Sequence, residues 1–529
     1  MSVFKSKTLL LLVSIWLLSC GFANGGEYYV SKAGNDQTGD GRITNPWHSI
    51  AMGVSRLAAG DTLNIRQGTY QEADVRIRTS GSEGNPIIIK NFENEKVVLS
   101  GTKQIDNGWE QYNNNGQIVW RLNVWQDDIS KWQKDAGSNL GVNSRGTKFW
   151  PRIVIQNAKG YVQGQFLKSD PESDLPVPPH QEEFLSDVDV PGEWYFEKTD
   201  GFLYVFPRDI YGAGYNANNY TFEIGVLGRA FQELNSDTFS YIIIEGLHFY
   251  GYTAISLVEN DQVQSAGAIS FSKWEKTEDS IRSHIEVRNC MFEKCYRPIV
   301  LVQIDDIKVT DCQFIECFDQ GIALYAVESQ DLSDARNHNA TISGCSFTRM
   351  YDHYPTIAGG GNARSAAIKI MGTVNAVVEN CEIDFAENMN GIWFDVASTD
   401  GVISDNIVSQ AGKAGIFIEN RSDNAQVTGN IVRDCRMGIK VGTVNEIQGE
   451  TNAPKNTVIY SNYIVNCLDS IYLLAAIKPS VIYNSMVDST RMNIYLSDSV
   501  YLWNNADDIL LDSNIIGLLT PAMTKMESR

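Results

Sequence analysis

Residues 390–423 read NGIWFDVASTDGVISDNIVSQAGKAGIFIENRSD and contain one phrase twice. In Gly391-Ile392-Trp393-Phe394-Asp395-Val396, strand alternation puts Ile392 and Phe394 on one face and Trp393 and Asp395 on the other. Gly415-Ile416-Phe417-Ile418-Glu419 repeats that order 24 residues later. If the copies stack in register, Asp395 and Glu419 become neighbours on the outward face, and rungs roughly 4.8 Å apart bring their carboxyls within about 5 Å.

The phrase recurs along the chain. Related strands are Ile299-Val300-Leu301, Ile322-Ala323-Leu324, Ile368-Lys369-Ile370, Ile439-Lys440-Val441 and Ile471-Tyr472-Leu473. A second phrase precedes most of them, centred on Cys290, Cys312, Cys345, Cys381, Asn406, Asn430 and Asn462, with a step of 22 to 25 residues, or 32 to 36 where a loop intervenes. Several strands per short repeat with no intervening helix predict an all-β chain wound into a right-handed parallel β-helix. Cys295, Cys317, Cys435 and Cys467 share another place in the repeat, so the thiols read as columns of small buried side chains. No CxxC or paired-histidine spacing points to zinc.

Outside the repeat, EYYVSKAGND from Glu27, a short amphipathic helix over 47–57 and a second strand predict a cap and first coils over 27–104. The loop from Asp36 to Gly41 is rich enough in oxygen to suggest calcium but misses the calcium-loop spacing and reads as a turn, so calcium stays open without being indicated and no other metal or cofactor is expected. Residues 105–235 lose the repeat and carry many Trp, Asn, Asp and Pro, as an inserted, mostly β subdomain would. GEWYFEKTDGFLYVFP (192–207) reads as a hairpin within it. The main β-helix is expected over 236–529.

Lys5 and Lys7 before an apolar run from Leu9 to Leu18 form an export signal over residues 1–20, too short for a membrane span. Leu17-Leu18-Ser19-Cys20 is similar to a lipobox, so lipidation of Cys20 would anchor an exported protein to a membrane. Losing the two lysines takes the net charge from −21 to −23, which argues against a nucleic-acid partner.

The outward columns carry the chemistry. One holds Lys369, Trp393, Phe417, Lys440 and Tyr472; the next holds Met371, Asp395, Glu419 and Gly442, with Tyr325 two rungs before Asp395. Adjacent acids repel and raise the pKa of one member unless function repays the arrangement. Trp393 and Phe417 would offer stacking platforms for a sugar, and the loop YDHYPTIAGGGNAR (351–364) brings His353 and Arg364 to the same patch. Carboxyls about 5 Å apart suit a retaining glycosidase, whereas inversion needs roughly 6.5–9.5 Å.

GIWFDV followed by GIFIE, with AAIKI one coil earlier, resembles the β-helix glycosidases of family 120, and more distantly family 141 and pectate lyase-like proteins. The resemblance to family 120 implies a retaining β-xylosidase-type reaction with Asp395 as nucleophile and Glu419 as general acid/base. This chain departs from that family at Ala363 and Arg364, where a histidine-glutamate pair belongs, and at Tyr325, in place of a histidine. Two other classes remain open. A polysaccharide lyase or epimerase would use Lys369, Arg364 or Arg421 against a uronate glycan, and a non-catalytic solenoid would bind glycans without turnover.

Overall fold

The computed structural model describes residues 25–124, 153–158, 165–166, 184–197, 199–209, 212–233, 238–253, 267–272, 281–326, 337–352, 365–443, 450–474, 476–497, 500 and 509–517. Residues 1–20, expected as an export signal with Cys20, and the loop carrying His353 and Arg364 lie outside these residues.

Three parallel sheets of 13, 12 and 11 strands run the length of the chain, each coil contributing one strand to each. Stacking in register aligns like with like. Phe249, Phe292, Phe314 and Phe347 form one interior pile with ring centroids 4.8, 5.0 and 4.4 Å apart and planes within 7°.

The Cys/Asn column has a backbone cause. The residue before each member takes a left-handed conformation, for example Asp311 at φ 54°, Asn380 at 53° and Asp405 at 56°. Asn, Asp and Gly tolerate this best, which explains the recurrent Asn-Cys, Asp-Cys, Asp-Asn and Gly-Asn pairs. Cys312 and Cys345 donate to the carbonyls of Val287 and Val309, both at 3.6 Å. Asn406 and Asn430 do the same to Val378 and Ile403, both at 2.9 Å. All eight described cysteines are free and buried.

From Asn406 onward the amides also bond one another. Asn406 donates to Asn430 and Asn430 to Asn462, each at 2.9 Å, and the chain runs on through Asn484 to Asn514. Every polar atom of Asn430 is used, and an apolar substitute would strand buried partners on both sides. Asn430→Val is expected to cost about 2–4 kcal/mol, read as a lower denaturation midpoint in urea.

At the N-terminus the helix spans only Ile50–Val54, shorter than 47–57. The Glu72 carboxylate accepts the Ile50 and Ala51 amides at 2.8 and 2.9 Å, and Ser49 caps Met52. Trp47 is instead bridged to Val30 in the first rung. The Asp36 carboxylate accepts the His48 and Ser49 amides, so this loop turns on its own oxygens.

Two four-stranded antiparallel sheets, from Thr102–Ile105 to Tyr220–Gly225, interrupt the solenoid. Trp194–Phe196 pairs antiparallel with Phe202–Val205. Trp109, Trp120 and Trp194 are buried within the hydrophobic core. The parallel ladder resumes at Phe231, which pairs with both Val75 and Ile269, five residues before the expected 236. Ile153 and Ile155 of the insert pack on Tyr296, Phe318 and Tyr351. Tyr296 and Phe318 lie just before the Ile299–Val302 and Gln320–Tyr325 strands of the 11-stranded sheet, and Phe318 is bridged both to Tyr296 and to Tyr351, so the insert rests on the entry to that sheet in these coils.

Candidate active site

In the 11-stranded sheet, Ala366–Met371, Asn390–Asp395, Ala414–Glu419 and Met437–Gly442 are successive rungs. Register pairs Lys369 with Trp393, Trp393 with Phe417, and Phe417 with Lys440. It also pairs Tyr325 with Met371 and Met371 with Asp395. The ladder between the two acid-bearing strands reaches Phe394↔Ile418, one residue before Asp395 and Glu419. Both chains then turn through left-handed residues, Val396 and Ala397 in one and Asn420 and Arg421 in the other. Ala397 N–H donates to the Asn420 carbonyl at 2.7 Å, which ties the two turns together and fixes both acids at the strand ends.

The face that alternation assigns to the outside is covered. Trp393 and Phe417 are each 5% exposed, Asp395 6% and Glu419 0%. The rings stack at 5.4 Å and 21°. Lys369 Nζ lies 3.5 Å from the Trp393 ring centre, and Lys440 Nζ lies 4.2 Å from that of Phe417. Each ring face that strand alternation leaves for a sugar is therefore taken by an ammonium, because a lysine occupies the rung on either side. Trp393 and Phe417 form a cation-bounded wall instead of open platforms.

The carboxyls differ in surroundings. Lys369 Nζ is 3.0 Å from Asp395 Oδ2, and the Val396 amide donates to Oδ1 at 2.8 Å. Asn420 Nδ2 approaches the same oxygen at 3.5 Å. Neither Glu419 oxygen has a hydrogen-bond partner among the described residues. Burial, and next the Asp395 charge, push the Glu419 pKa up to about 8, against the weaker pull of Lys440 and Lys369. The Trp393 indole N–H pulls the same way as the lysines without reaching hydrogen-bond geometry. Asp395 thus meets an ammonium and a turn amide, whereas burial and the Asp395 charge disfavour an ionised Glu419. Lys369→Met would leave Asp395 buried without its counter-charge and is expected to cost about 3–5 kcal/mol, measured as a shift in denaturation midpoint.

Tyr325 lies two rungs from Asp395, and its hydroxyl donates to Gln320 Oε1. Burial is the largest cause raising its pKa to about 12, and Asp395 is a lesser one. A buried Arg297–Asp319 ion pair adjoins Gln320, and Ser365 Oγ lies 3.0 Å from Asp319 Oδ1 and 2.8 Å from Asp352 Oδ1. These residues moor both ends of the loop that holds His353 and Arg364. Arg421, two residues past Glu419, is half-buried, with a guanidinium Nε that has no hydrogen-bond partner among the described residues. Lys440 is the residue sequence reasoning left out of the site. Its place in the outward column, one rung past Phe417, was the available signal.

Residues 329–452 match the family described as right-handed beta helix region. The fold is a right-handed parallel β-helix. Residues 45–139 match a second family, chondroitinase B. The uncharacterized protein YwoF of Bacillus subtilis (strain 168) is 44% identical over 77 residues, 14% of this chain and 16% of that protein. Pectate lyase PEL9 of Emericella nidulans is 32% identical over 91 residues, 17% of this chain and 22% of the relative. These matches span less than a quarter of either relative's length. Similar solved structures include one described as a glycoside hydrolase, with 14% identity, TM-score 0.48, and 93% of this chain and 96% of that one covered. Another is the GH136 lacto-N-biosidase from Eubacterium ramulus, with 12% identity, TM-score 0.46, and 93% and 68% covered. Pectate lyase Pel9A matches with 11% identity, TM-score 0.40, and 93% and 80% covered.

Proposed function

We propose that this chain is a carbohydrate-active enzyme and, within that class, a glycoside hydrolase acting with retention through Asp395 and Glu419. The partial matches to a pectate lyase and to chondroitinase B support a carbohydrate substrate. The observation that carries the hydrolase reading is the contrast between the two acids. Asp395 is ion-paired and amide-bonded, whereas Glu419 is buried, unbonded and shifted to hold a proton near neutrality.

In the first step an Asp395 carboxylate oxygen attacks the anomeric carbon while the bond to the leaving oxygen breaks and that oxygen takes the Glu419 proton. In the second, water attacks the same carbon and gives its proton to Glu419, and the bond to Asp395 breaks. Lys369 and the Val396 amide favour the carboxylate that leaves, which speeds this second step. In the same reading the protein is exported, with Cys20 as a lipid attachment point.

A second reading, elimination on a uronate glycan, draws on Lys440. Burial pushes the Lys440 ammonium below its usual range, as a base would need, although the Glu419 charge opposes this. Lys369 is less suited to that task, since its ammonium is spent on Asp395. Screening plant and algal polysaccharides and aryl glycosides with paired readouts separates the readings. Hydrolysis releases reducing ends without a new ultraviolet chromophore, and appearance of an unsaturated, absorbing product would reject the hydrolase.

A further inference from the structure

Five buried polar side-chain atoms with no hydrogen-bond partner among the described residues fall on four consecutive positions, Glu419 to Ser422. Buried polar groups are nearly always paired, so such a run marks a place completed by a partner from outside the chain. Glu419 accounts for two of the five, as an acid that waits for a leaving oxygen. The reaction derived above gives its neighbour Asn420 no task.

Asn420 opens the left-handed turn after the acid, at φ 37°, and stands in the repeat where Val396, at φ 35°, stands one coil earlier. Its carbonyl accepts the Ala397 N–H at 2.7 Å, so its backbone is tied to the turn that follows Asp395. Its side chain reaches the nucleophile: Nδ2 approaches Asp395 Oδ1 at 3.5 Å, and Oδ1 is buried without a donor. Turning the carboxamide over would not help, because its oxygen would then face a carboxylate. A side chain that only filled this turn would serve better as a hydrocarbon, as Val396 does in the same place, since none of its atoms would be stranded. The nearby ammoniums do not supply the missing donor. Lys369 is engaged by Asp395, and Lys440 lies over the Phe417 ring.

We propose that Asn420 is a specificity-determining residue whose Oδ1 accepts the hydroxyl on the sugar carbon next to the anomeric carbon. The proposal rests on the glycosidase reading and deepens it. The two polar atoms of one carboxamide lie about 2.3 Å apart, so the free acceptor is within about 6 Å of the Asp395 oxygen that Nδ2 approaches. An anomeric carbon held about 3–3.5 Å from the attacking carboxylate leaves the adjacent hydroxyl, two bonds away, in the span between them. There its O–H closes on the amide oxygen at about 2.8 Å. Every other ring hydroxyl is at least three bonds from the anomeric carbon and lies farther from this acceptor. One planar group thus meets both the nucleophile and the sugar. A sugar with that hydroxyl missing, or on the other face of its ring, leaves the acceptor stranded and is rejected.

The test compares the full chain with its Asn420→Gly variant, which deletes the amide but keeps the left-handed backbone at little cost, and with it the carbonyl that joins the two turns. The probes are nitrophenyl glycosides of common pentoses and hexoses, each beside its 2-deoxy twin, and the quantity read is the ratio of kcat/KM within each pair. In its best pair the unmodified chain should favour the hydroxylated member by about 100-fold or more, because a site built to bond a hydroxyl rejects the analogue without it. Asn420→Gly should shrink that ratio at least about ten-fold, chiefly by slowing the hydroxylated member. Differences in intrinsic reactivity between the two sugars cancel when the proteins are compared, and damage to folding or to the placement of Asp395 slows both members alike. An unchanged ratio, with Asp395-dependent hydrolysis intact, overturns the assignment of Asn420 and leaves the glycosidase reading standing. Absence of Asp395-dependent hydrolysis from every pair overturns both.

Discussion

Asp395→Asn is expected to lower kcat by roughly four orders of magnitude or more, as removal of a nucleophile does elsewhere. The amide keeps the shape of the side chain and can still meet the Val396 amide through its oxygen. It cannot form the glycosyl ester, and it offers Lys369 no charge. Because Lys369 then loses its partner, part of the effect could arise from misfolding. The Lys369→Met/Asp395→Asn double variant separates the two. It removes both ends of the ion pair, so stability should recover relative to Asp395→Asn while turnover stays lost. Initial rates on an identified substrate, with denaturation midpoints on the same preparations, check this. Recovered turnover in the double variant would strip Asp395 of its role as nucleophile.

Glu419→Gln gives the second large effect, and it should depend on the leaving group. General acid catalysis contributes typically 10²–10⁴-fold, and the loss should approach the upper end for a natural sugar leaving group. For an aryl leaving group that departs without a proton, the first step should suffer much less. The second step then limits, since water lacks its base, and a small anion such as azide should restore turnover because it needs none. The pH profile gives an independent check. Glu419 must be protonated to act, and burial with the Asp395 charge raises its pKa to about 8, so kcat/KM should fall as pH rises through that value. In Glu419→Gln that alkaline limb should vanish. A limb that persists unchanged would assign it to another group.

The parallel β-helix was legible because its determinants are local and periodic. Alternation in GIWFD and GIFIE gave the strand faces, and the turn conformation before each Cys or Asn fixed the residue types that punctuate each coil. From the coil count alone, Lys369, Trp393, Phe417 and Lys440 fell in one column and Tyr325, Met371 and Asp395 in another, as they stand in the sheet. Burial was not legible. Period two says that Trp393 and Asp395 point away from the core but not what covers them. Sequence reading therefore treated the rings as open sugar platforms, whereas Lys369 and Lys440 close on them. The contrast between the acids escaped for a related reason. It depends on which carboxyl meets a turn amide and a lysine and which meets nothing, a difference of a few ångströms that a repeat does not encode.

In the proposed mechanism Asp395 forms a covalent bond to sugar while Glu419 handles the proton. Its most direct test is to incubate the protein with a panel of 2-deoxy-2-fluoroglycosyl fluorides, which form the first-step ester but release it slowly, and to map any adduct by peptide mass spectrometry. One fluoroglycosyl group is expected on Asp395, and none when that residue is Asn. An adduct on Glu419 or another carboxylate, or turnover of a natural glycan to inverted or unsaturated products with no adduct formed, would contradict it.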